Sequence, residues 1–430
     1  MSISDPRDSD EPYRDAEPPF MQAPLKAKKG RGAVSNLQGR YETLIREDID
    51  DGWTGESLGD CERSAAVGAQ AGAQPAAEMD PVPGPDGAAA WKTQIIEEQA
   101  KSILSRNKSP DVPFSISLNP YRGCEHGCIY CFARPTHSYL GLSPGLDFES
   151  KIFAKINAPD LLRQELSKAS HVPEPIALGV NTDAYQPCER ELRLTRRVLE
   201  VLRECQHPVA LITKSSLIER DIDLLAEMAS RRLAMAAVTL TTLDAEVART
   251  LEPRATAPMR RLRTIRTLTD AGIPVGVSIA PVIPFVTEPD LERILVAAAE
   301  AGAINAGYVT LRLPWEVSPL FRQWLEAHFP DRAARVMNRV RDIHGGKDYD
   351  SSFGKRMHGQ GIWADLIRQR FEKTVARLGL GIRSGRFKGL DTSLFQRPSI
   401  TPALERNTGE GAGKKKSGKA RDAGGQFELF

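Results

Sequence analysis

The chain has 430 residues, a formal net charge of +2 and six cysteines that follow no regular spacing. The near-neutral charge by itself predicts neither a nucleic-acid partner nor a membrane surface, and so few irregular cysteines do not indicate a disulfide framework. The N-terminus is acidic and polar without an apolar signal segment, and no stretch reaches the roughly 20 apolar residues that cross a bilayer. We therefore expect a cytoplasmic protein with no membrane partner.

The N-terminal segment, residues 1–84, is rich in Asp, Glu, Gly, Ala and Pro and shows little periodicity. This composition predicts a largely disordered arm. One stretch departs from it, with Gly30 to Asn36 followed by Arg40-Tyr41 and later by Trp53. Two interpretations stay open for this stretch, either a flexible arm that carries aromatic residues or an arm that folds back on the next domain.

From about residue 113 to 314, short apolar β-branched runs alternate with amphipathic helical patterns. The predicted strands are Phe114–Leu118, Ile176–Val180, Val209–Thr213, Ala236–Leu240, Val275–Ala280 and Tyr308–Leu311. The predicted helices between them include Glu189–Cys205, Leu217–Ala229, Met259–Ala271 and Leu291–Ala301. Repeated strand–helix units indicate an α/β protein with a parallel sheet, either doubly wound or barrel-shaped.

Two observations favour a barrel over a doubly wound sheet. No G-x-G-x-x-G follows the first strand, and polar residues collect after the carboxyl ends of the strands, where barrel enzymes keep their sites. We therefore predict a partial (β/α)6 TIM-type barrel over residues 85–325. A helical extension over residues 326–390 and a disordered basic tail over residues 391–430 follow it.

The first strand leads into three closely spaced cysteines, Cys124, Cys128 and Cys131, in the pattern C-x3-C-x2-C. A four-iron cluster normally takes four thiolates, so three ligands leave one iron open, as in catalytic rather than structural metal sites. Zinc is the main alternative, but His126 lies inside the loop, too close to complete a tetrahedron. A redox pair at Cys128 and Cys131 is formally present, but Cys124 and the lack of a thioredoxin-like context argue against it.

Other polar residues follow the later strands of the predicted barrel. Thr182 and Asp183 end the second strand, Lys214 ends the third, and Thr241-Thr242 with Glu252 follow the fourth. Because carboxyl ends of parallel strands meet at one rim, we expect these side chains to share a site with the cysteines.

The cysteine loop, with its aromatic Tyr130 before the last cysteine, resembles the signature of radical S-adenosylmethionine (SAM) enzymes. The resemblance implies a [4Fe-4S] cluster on Cys124, Cys128 and Cys131, and reductive cleavage of SAM to a 5′-deoxyadenosyl radical. It also implies that Thr182, Asp183, Lys214 and Tyr130 bind SAM, and that flavodoxin or ferredoxin supplies the electron. In such enzymes the cofactor supplies the chemistry and the protein orients it.

Longer motifs resemble a bacterial radical SAM group related to spore photoproduct lyase and described as DNA-repair-photolyase-like. They are Asn119 to Cys124, the continuation to Arg134, Thr182 to Pro187, Thr213-Lys214, Asp348-Tyr349-Asp350, and Arg356 with Gly359 and Gly361. The resemblance spans about residues 30 to 385. It implies a lyase-like or other radical-initiated reaction related to DNA repair, with a nucleic acid as the candidate substrate.

Two departures argue against photoproduct repair itself. The second strand lacks the cysteine that returns a hydrogen atom in those lyases, and Phe132 replaces a tyrosine. Cys188 and Tyr130 remain as catalytic candidates, although the sequence favours a small buried cysteine over a hydrogen donor at Cys188. Modification of RNA or protein, and a non-enzymatic iron–sulfur or zinc protein, stay open as alternatives.

The tail ends in a short apolar peptide on a basic, glycine-rich tether. Hydrophobic residues at the tip of a disordered segment have nothing nearby to bury them. The peptide resembles those that dock on the bacterial DNA sliding clamp. We therefore expect clamp binding through Gln426, Phe427, Leu429 and Phe430.

Overall fold

A computed structural model describes residues 27–42, 92–381 and 389–399 of the chain. Trp53 and the peptide with Gln426, Phe427, Leu429 and Phe430 lie outside these residues. No described helix is both long and apolar enough to cross a membrane.

The strands form two sheets, one large and one small. In chain order they are β1 (Gln94–Glu98), β2 (Leu104–Arg106), β3 (Ile116–Leu118), β4 (Tyr121–Arg122), β5 (Lys151–Lys155), β6 (Ile176–Leu178), β7 (Val209–Thr213), β8 (Ala234–Thr239), β9 (Val275–Val282) and β10 (Asn305–Thr310). The large sheet has the order β10-β9-β8-β7-β6-β3-β2, and all its pairs are parallel except β2 with β3. Each of the six predicted strands is therefore present, in the predicted order.

The helices follow the strands as the alternation predicts. They are α1 (Leu146–Ser150), α2 (Ala158–Ser167), α3 (Glu189–Leu192), α4 (Leu194–Glu204), α5 (Ile222–Ser230), α6 (Ala245–Leu251), α7 (Pro258–Asp270), α8 (Leu291–Glu300), α9 (Val317–His328), α10 (Pro330–Ile343) and α11 (Ile362–Leu378). Three 3-10 helices, Arg134–Leu140, Ser216–Asp221 and Glu288–Asp290, lie between them. The apolar faces of α2, α4, α5, α7, α8 and α11 form one large core with the sheet residues, and α9 and α10 pack in a second apolar cluster with the cysteine loop.

The long helix predicted over Glu189–Cys205 is broken in two at Arg193. Arg193 takes a left-handed conformation with a φ of 52°. The break lets the buried Glu189 carboxylate accept the Thr195 N–H at 3.0 Å and the Arg196 N–H at 3.4 Å. These are donors that the first turn of α4 would otherwise leave unsatisfied. The helix is therefore broken by a capping contact of Glu189, which the spacing of apolar residues in the sequence cannot reveal.

The large sheet curls, so the carboxyl ends of distant strands meet. In a flat sheet β3 and β10 would be separated by five strand spacings, roughly 24 Å. Instead the Arg312 guanidinium, after β10, lies 5.0 Å from the ring centroid of Phe132, in the loop after β3. The loop also reaches the segment after β8, where the Ile129 N–H donates to the Leu251 carbonyl at 3.1 Å. This convergence is what a partial barrel requires.

The small sheet fixes the start of the cysteine loop. Its order is β1-β5-β4, with β1 parallel and β4 antiparallel to β5. This sheet is not predicted from the sequence, because β4 has only two residues and β1 is largely exposed. Such strands carry too little apolar pattern to be recognised.

The arm residues 27–42 fold back on the barrel, which is one of the two interpretations that the sequence left open. Ala33 and Val34 are buried. The Asn36 side chain accepts the Leu146 and Asp147 N–H groups at the start of α1, at 3.1 and 3.2 Å. This part of the arm is therefore integral to the domain.

The C-terminal segment 389–399 packs over a pair of buried histidines. The Nε2 atoms of His171 and His207 lie 3.1 Å apart, and the Phe395 ring contacts both imidazoles edge-on. The Gln396 N–H donates to the Cys205 carbonyl at 2.8 Å. Burial lowers the pKa of His207 to about 4, so the folded chain holds this imidazole neutral.

We predict a loss of stability in acid that depends on His207. Because its folded pKa lies below the ordinary value of 6.5, its contribution is complete above pH 6.5 and is lost as the pH falls toward 4. From these values the free energy of unfolding should drop by about 2 kcal/mol between pH 7.5 and pH 5. Urea denaturation of wild type and His207→Asn at both pH values measures how much of this drop depends on His207. An equal pH dependence in the two proteins would contradict it.

Candidate functional site

The three cysteines lie in the loop between β4 and the 3-10 helix Arg134–Leu140, at the curled end of the sheet. Cys124 and Cys128 are each 7% exposed, and Cys131 is more open. Burial raises the pKa of the Cys128 thiol to about 12 and raises that of Cys124 well above its ordinary value. The positive charge of Lys214 lowers the pKa of Cys128, and a hydrogen bond from the Asp183 backbone lowers that of Cys124. A metal centre that binds these sulfurs would therefore have to displace their protons, which makes its affinity depend on pH.

The three thiols are close enough to interact with one another. The charges of Cys128 and Cys131 each raise the pKa of Cys124, and Cys131 packs against the apolar clusters of both other cysteines. Across the described parts of the chain, no group of three His, Cys, Asp or Glu side chains is placed to hold a metal ion. A four-iron cluster binds each thiolate at a different iron. Three neighbouring soft thiol donors suit that cluster.

A buried ion pair holds the backbone of the cysteine loop. Arg134 and Glu149 are both fully buried, with Nη2 and Oε1 2.5 Å apart. The Arg134 guanidinium also donates to the carbonyls of Cys128 at 2.9 Å and of Gly127 at 3.1 Å. It donates further to the carbonyls of Pro144 and Gly145, both at 3.0 Å. One side chain thus fixes two distant turns relative to each other.

The other side of Glu149 binds the N-terminal arm. Its two carboxylate oxygens accept the N–H groups of Gly32 at 3.0 Å and Ala33 at 2.8 Å. Gly32 lies so near the cysteine loop that an added Cβ would be 1.9 Å from the Gly127 carbonyl oxygen. The arm therefore forms one wall of the loop, and only glycine fits at the contact.

Glu125 and Gln186 bind the loop to the segment after β6. The Gln186 side chain accepts the Glu125 N–H at 2.9 Å. The Glu125 carboxylate accepts the Cys188 N–H at 2.6 Å and pairs with Arg254 at 2.9 Å. Three separate segments are thus held together around the first cysteine.

Asp183 lies beside the loop, as the sequence predicts, and is fully engaged. Its carboxylate accepts the Thr213 hydroxyl and the Lys214 N–H, both at 2.7 Å, and the Tyr185 N–H at 2.8 Å. His126 Nδ1 lies 3.3 Å away. Burial opposes the charge, but His126 and these hydrogen bonds hold the pKa of Asp183 far below its usual range. Asp183 therefore organises the rim between the loop and β7.

Thr182 is buried next to Asp183. Its hydroxyl donates to the Tyr121 carbonyl at 3.2 Å, and its N–H donates to the Asn119 side chain at 3.4 Å. These partners lie in β4 and in the turn before it, which lead into the cysteine loop. The structure thus brings Thr182 and Asp183 against the cysteine loop, and their part in binding a ligand stays a prediction.

Lys214 faces the ring of Tyr130, with Nζ 5.8 Å from the ring centroid. Burial by itself would lower the pKa of Lys214, but the charges of Cys128 and Glu252 raise it above its usual value. In the chain as described, this ammonium makes no hydrogen bond or ion pair. A cation beside the cysteines with unused donors can bind an anionic group of a ligand.

Tyr130 belongs to a buried network that the sequence only partly revealed. Its hydroxyl bonds to the Glu252 carboxylate and lies 3.3 Å from the Thr241 hydroxyl. Burial would raise the pKa of Glu252, but Arg261 and Lys214 bring it below its usual value. Arg261 is itself buried and pairs with Glu252. Tyr130 is therefore positioned by a charged residue from the segment after β8.

Cys188 lies in apolar packing beside the start of the cysteine loop. It packs with Tyr121, Ile152 and Leu194 in a small apolar cluster. Burial and the neighbouring Glu125 raise the pKa of its thiol. The structure therefore supports a packing role for Cys188 more than a catalytic one.

The sequence did not predict that Arg134, Glu149 and Arg261 help to build the site. Each is a charged residue whose partner is distant in the chain or lies within a helix pattern, so no local spacing marks it. A weak signal exists for Arg134, which ends the aromatic run after Cys131.

Comparison with known proteins identifies the superfamily of the chain. The family model for the radical SAM superfamily matches residues 118–298. An uncharacterized protein of Mycobacterium tuberculosis is 37% identical over 289 residues, which are 66% of this chain and 81% of that protein. An uncharacterized protein of Methanocaldococcus jannaschii is 27% identical over 249 residues, 58% of this chain and 89% of that protein.

Among solved structures, spore photoproduct lyase complexed with dinucleoside spore photoproduct has a TM-score of 0.48 and 12% identity, covering 66% of this chain and 80% of that one. The radical SAM methyltransferase TsrM from Kitasatospora setae has a TM-score of 0.35 and 14% identity, covering 64% of this chain and 55% of that one.

We predict that Glu149→Ala releases the arm and destabilises the domain. The substitution leaves the Arg134 charge buried without its partner, which costs about 3–5 kcal/mol of unfolding free energy. The amides of Gly32 and Ala33 should also exchange hydrogen faster, because they lose their acceptor. Urea denaturation and hydrogen exchange measured by mass spectrometry test both effects.

Glu246→Ala is the matched control, because Glu246 pairs with Arg249 on the surface, where both side chains are at least 70% exposed. It should cost less than about 1 kcal/mol. Unchanged exchange at Gly32 and Ala33 in Glu149→Ala would show that the arm does not depend on this carboxylate.

Proposed function

This chain belongs to the radical SAM superfamily, and on that premise we propose that it is an enzyme that holds a [4Fe-4S] cluster on Cys124, Cys128 and Cys131 and uses SAM. The observation that carries the proposal is the set of three mutually interacting cysteines in a loop whose Tyr130 ring faces the free ammonium of Lys214. When bound and reduced, the cluster would supply the electron that cleaves SAM to methionine and a 5′-deoxyadenosyl radical.

The chain's own residues would orient SAM. Lys214 is suited to the SAM carboxylate, since it is a compact cation with three free donors. Asp183 fixes the backbone at Lys214 through a 2.7 Å hydrogen bond. Tyr130, held by Glu252, keeps its ring against the Lys214 ammonium. The buried surroundings would exclude water and strengthen these electrostatic contacts.

We propose a nucleic acid as the substrate, on the basis of an exposed aromatic surface near the same rim. Tyr41 and Tyr139 stack with ring centroids 5.2 Å apart, and the Arg40 guanidinium lies 4.3 Å from the Trp315 ring. Trp315 and Tyr41 are more than half exposed. Exposed aromatic rings beside arginine can stack unpaired bases. DNA is the proposed nucleic acid, and modification of RNA or protein remains the alternative. A flavodoxin or ferredoxin is the proposed reductant.

We predict that each cluster cysteine is required for iron and sulfide binding. Replacing Cys124, Cys128 or Cys131 by Ala removes one of three ligands, so anaerobic reconstitution should yield little bound cluster and no 5′-deoxyadenosine from SAM and reductant. Iron and sulfide analysis, visible absorption and product chromatography measure the three effects.

Cys205→Ala is the control, because Cys205 is buried elsewhere in the core. It should retain iron, sulfide and 5′-deoxyadenosine formation. Wild-type protein that binds iron and sulfide but forms no 5′-deoxyadenosine would refute the enzymatic proposal. It would favour the non-enzymatic iron–sulfur alternative instead.

We predict that Lys214→Met weakens SAM binding and leaves the cluster in place. Loss of one charged contact should raise the dissociation constant for SAM roughly 10- to 100-fold. Equilibrium dialysis with labelled SAM measures the affinity, and visible absorption measures the cluster. Lys168→Met, at an exposed lysine, should match wild type. Wild-type affinity in Lys214→Met would assign the SAM carboxylate to another group.

A further inference from the structure

A second cation faces Phe132, the aromatic residue that directly follows the third cysteine. The guanidinium of Arg312, two residues after β10, lies 5.0 Å from the Phe132 ring centroid and 5.9 Å from that of Tyr349. Cys131 thus lies between two aromatic residues, and each of their rings faces a cation, Lys214 over Tyr130 and Arg312 over Phe132.

The hydrogen-bonding capacity of Arg312 is mostly unused. Its Nη1 lies 3.3 Å from the Met357 sulfur and its Nη2 lies 3.5 Å from the Tyr349 hydroxyl. Both are weak contacts, because thioether sulfur is a poor acceptor and 3.5 Å is long for a hydrogen bond. Its Nε is buried and has no partner among the described residues. A guanidinium has five donors, and leaving the buried Nε–H unpaired is costly.

Three other arginines around the cysteine loop are neutralised by carboxylates. Arg134 pairs with Glu149, Arg254 with Glu125, and Arg261 with Glu252. Arg312 has no carboxylate partner in the parts of the chain that the structure describes. The site therefore keeps one guanidinium available, next to the cysteine that lies nearest to solvent.

We propose that Arg312 binds an oxyanion of the substrate, a phosphate or a carboxylate, beside Cys131. The inference rests on the proposed function, because it places this anion where the substrate of a radical SAM enzyme would meet the cluster loop. The planar fork of a guanidinium matches two oxygens of such a group. The Phe132 and Tyr349 rings hold the fork in place through cation–π contacts, so little side-chain freedom is lost on binding.

If the role of Arg312 is purely structural, a different result is expected. In that case Arg312 only fastens Tyr349 and Met357 to the loop, and its removal changes stability without changing anion affinity. Arg335 supplies a matched control, because its guanidinium lies 4.1 Å from the Phe285 ring centroid, is exposed, and forms no ion pair within the described residues.

The test is isothermal titration of the reconstituted full chain, saturated with SAM so that Lys214 is occupied, at constant ionic strength. The probes are inorganic phosphate, thymidine 5′-monophosphate and glutarate. Arg312→Gln should weaken binding of the preferred probe roughly 10- to 100-fold, and Arg335→Gln should bind as wild type does. Preference for the phosphates identifies a phosphorylated substrate, and preference for glutarate identifies a carboxylate.

Two results would overturn the proposal, namely no binding of any probe by wild type, or equal affinities in Arg312→Gln and wild type. If Arg312→Gln does not fold, Arg312→Lys keeps the charge without the fork and should bind with reduced affinity. Wild-type affinity in Arg312→Lys would equally reject the guanidinium fork. SAM affinity and cluster absorption of the same samples report on the proposed function separately, so its failure is distinguishable from failure at Arg312.

Discussion

The buried ion pair between Arg134 and Glu149 is the contact on which the site depends. Neither side chain is exposed, so both charges lost their hydration on folding, and mutual attraction alone rarely offsets that cost. The additional hydrogen bonds do so here. Arg134 satisfies carbonyls of the cysteine loop and of the turn before α1, while Glu149 satisfies two amides of the arm. The same ion pair therefore fixes both the conformation of the cysteine loop and the docking of the arm.

The distribution of charge around the cysteines follows from the same principle. Glu125, Glu149 and Glu252 each have an arginine partner, and Asp183 is held by hydrogen bonds and His126. In the described chain this leaves Lys214 and Arg312 as the cations without a carboxylate beside Tyr130 and Phe132. A site with its acids neutralised and two cations free is built for negatively charged ligands. The proposals for SAM and for a substrate oxyanion both rest on this imbalance.

Much of the fold could be predicted from the sequence, because the parallel strands are short apolar runs separated by amphipathic helices. Val209–Thr213 has the predicted bounds, and the other five strands overlap their predictions. The cysteines, Asp183 and Lys214 also fall on one rim as predicted. What the sequence did not show depends on contacts between distant residues. Glu149 and Gly32 are separated by 117 positions, and Arg312 meets Phe132 only because the sheet curls.

The central claim is that three cysteines leave one iron of a four-iron cluster open to SAM, and Mössbauer spectroscopy of iron-57-reconstituted protein tests it most directly. On addition of SAM, the account predicts that about one quarter of the cluster iron signal changes while the rest stays as it was. In Lys214→Met that change should require a higher SAM concentration. A spectrum in which all the iron is equivalent and does not respond to SAM would contradict the account.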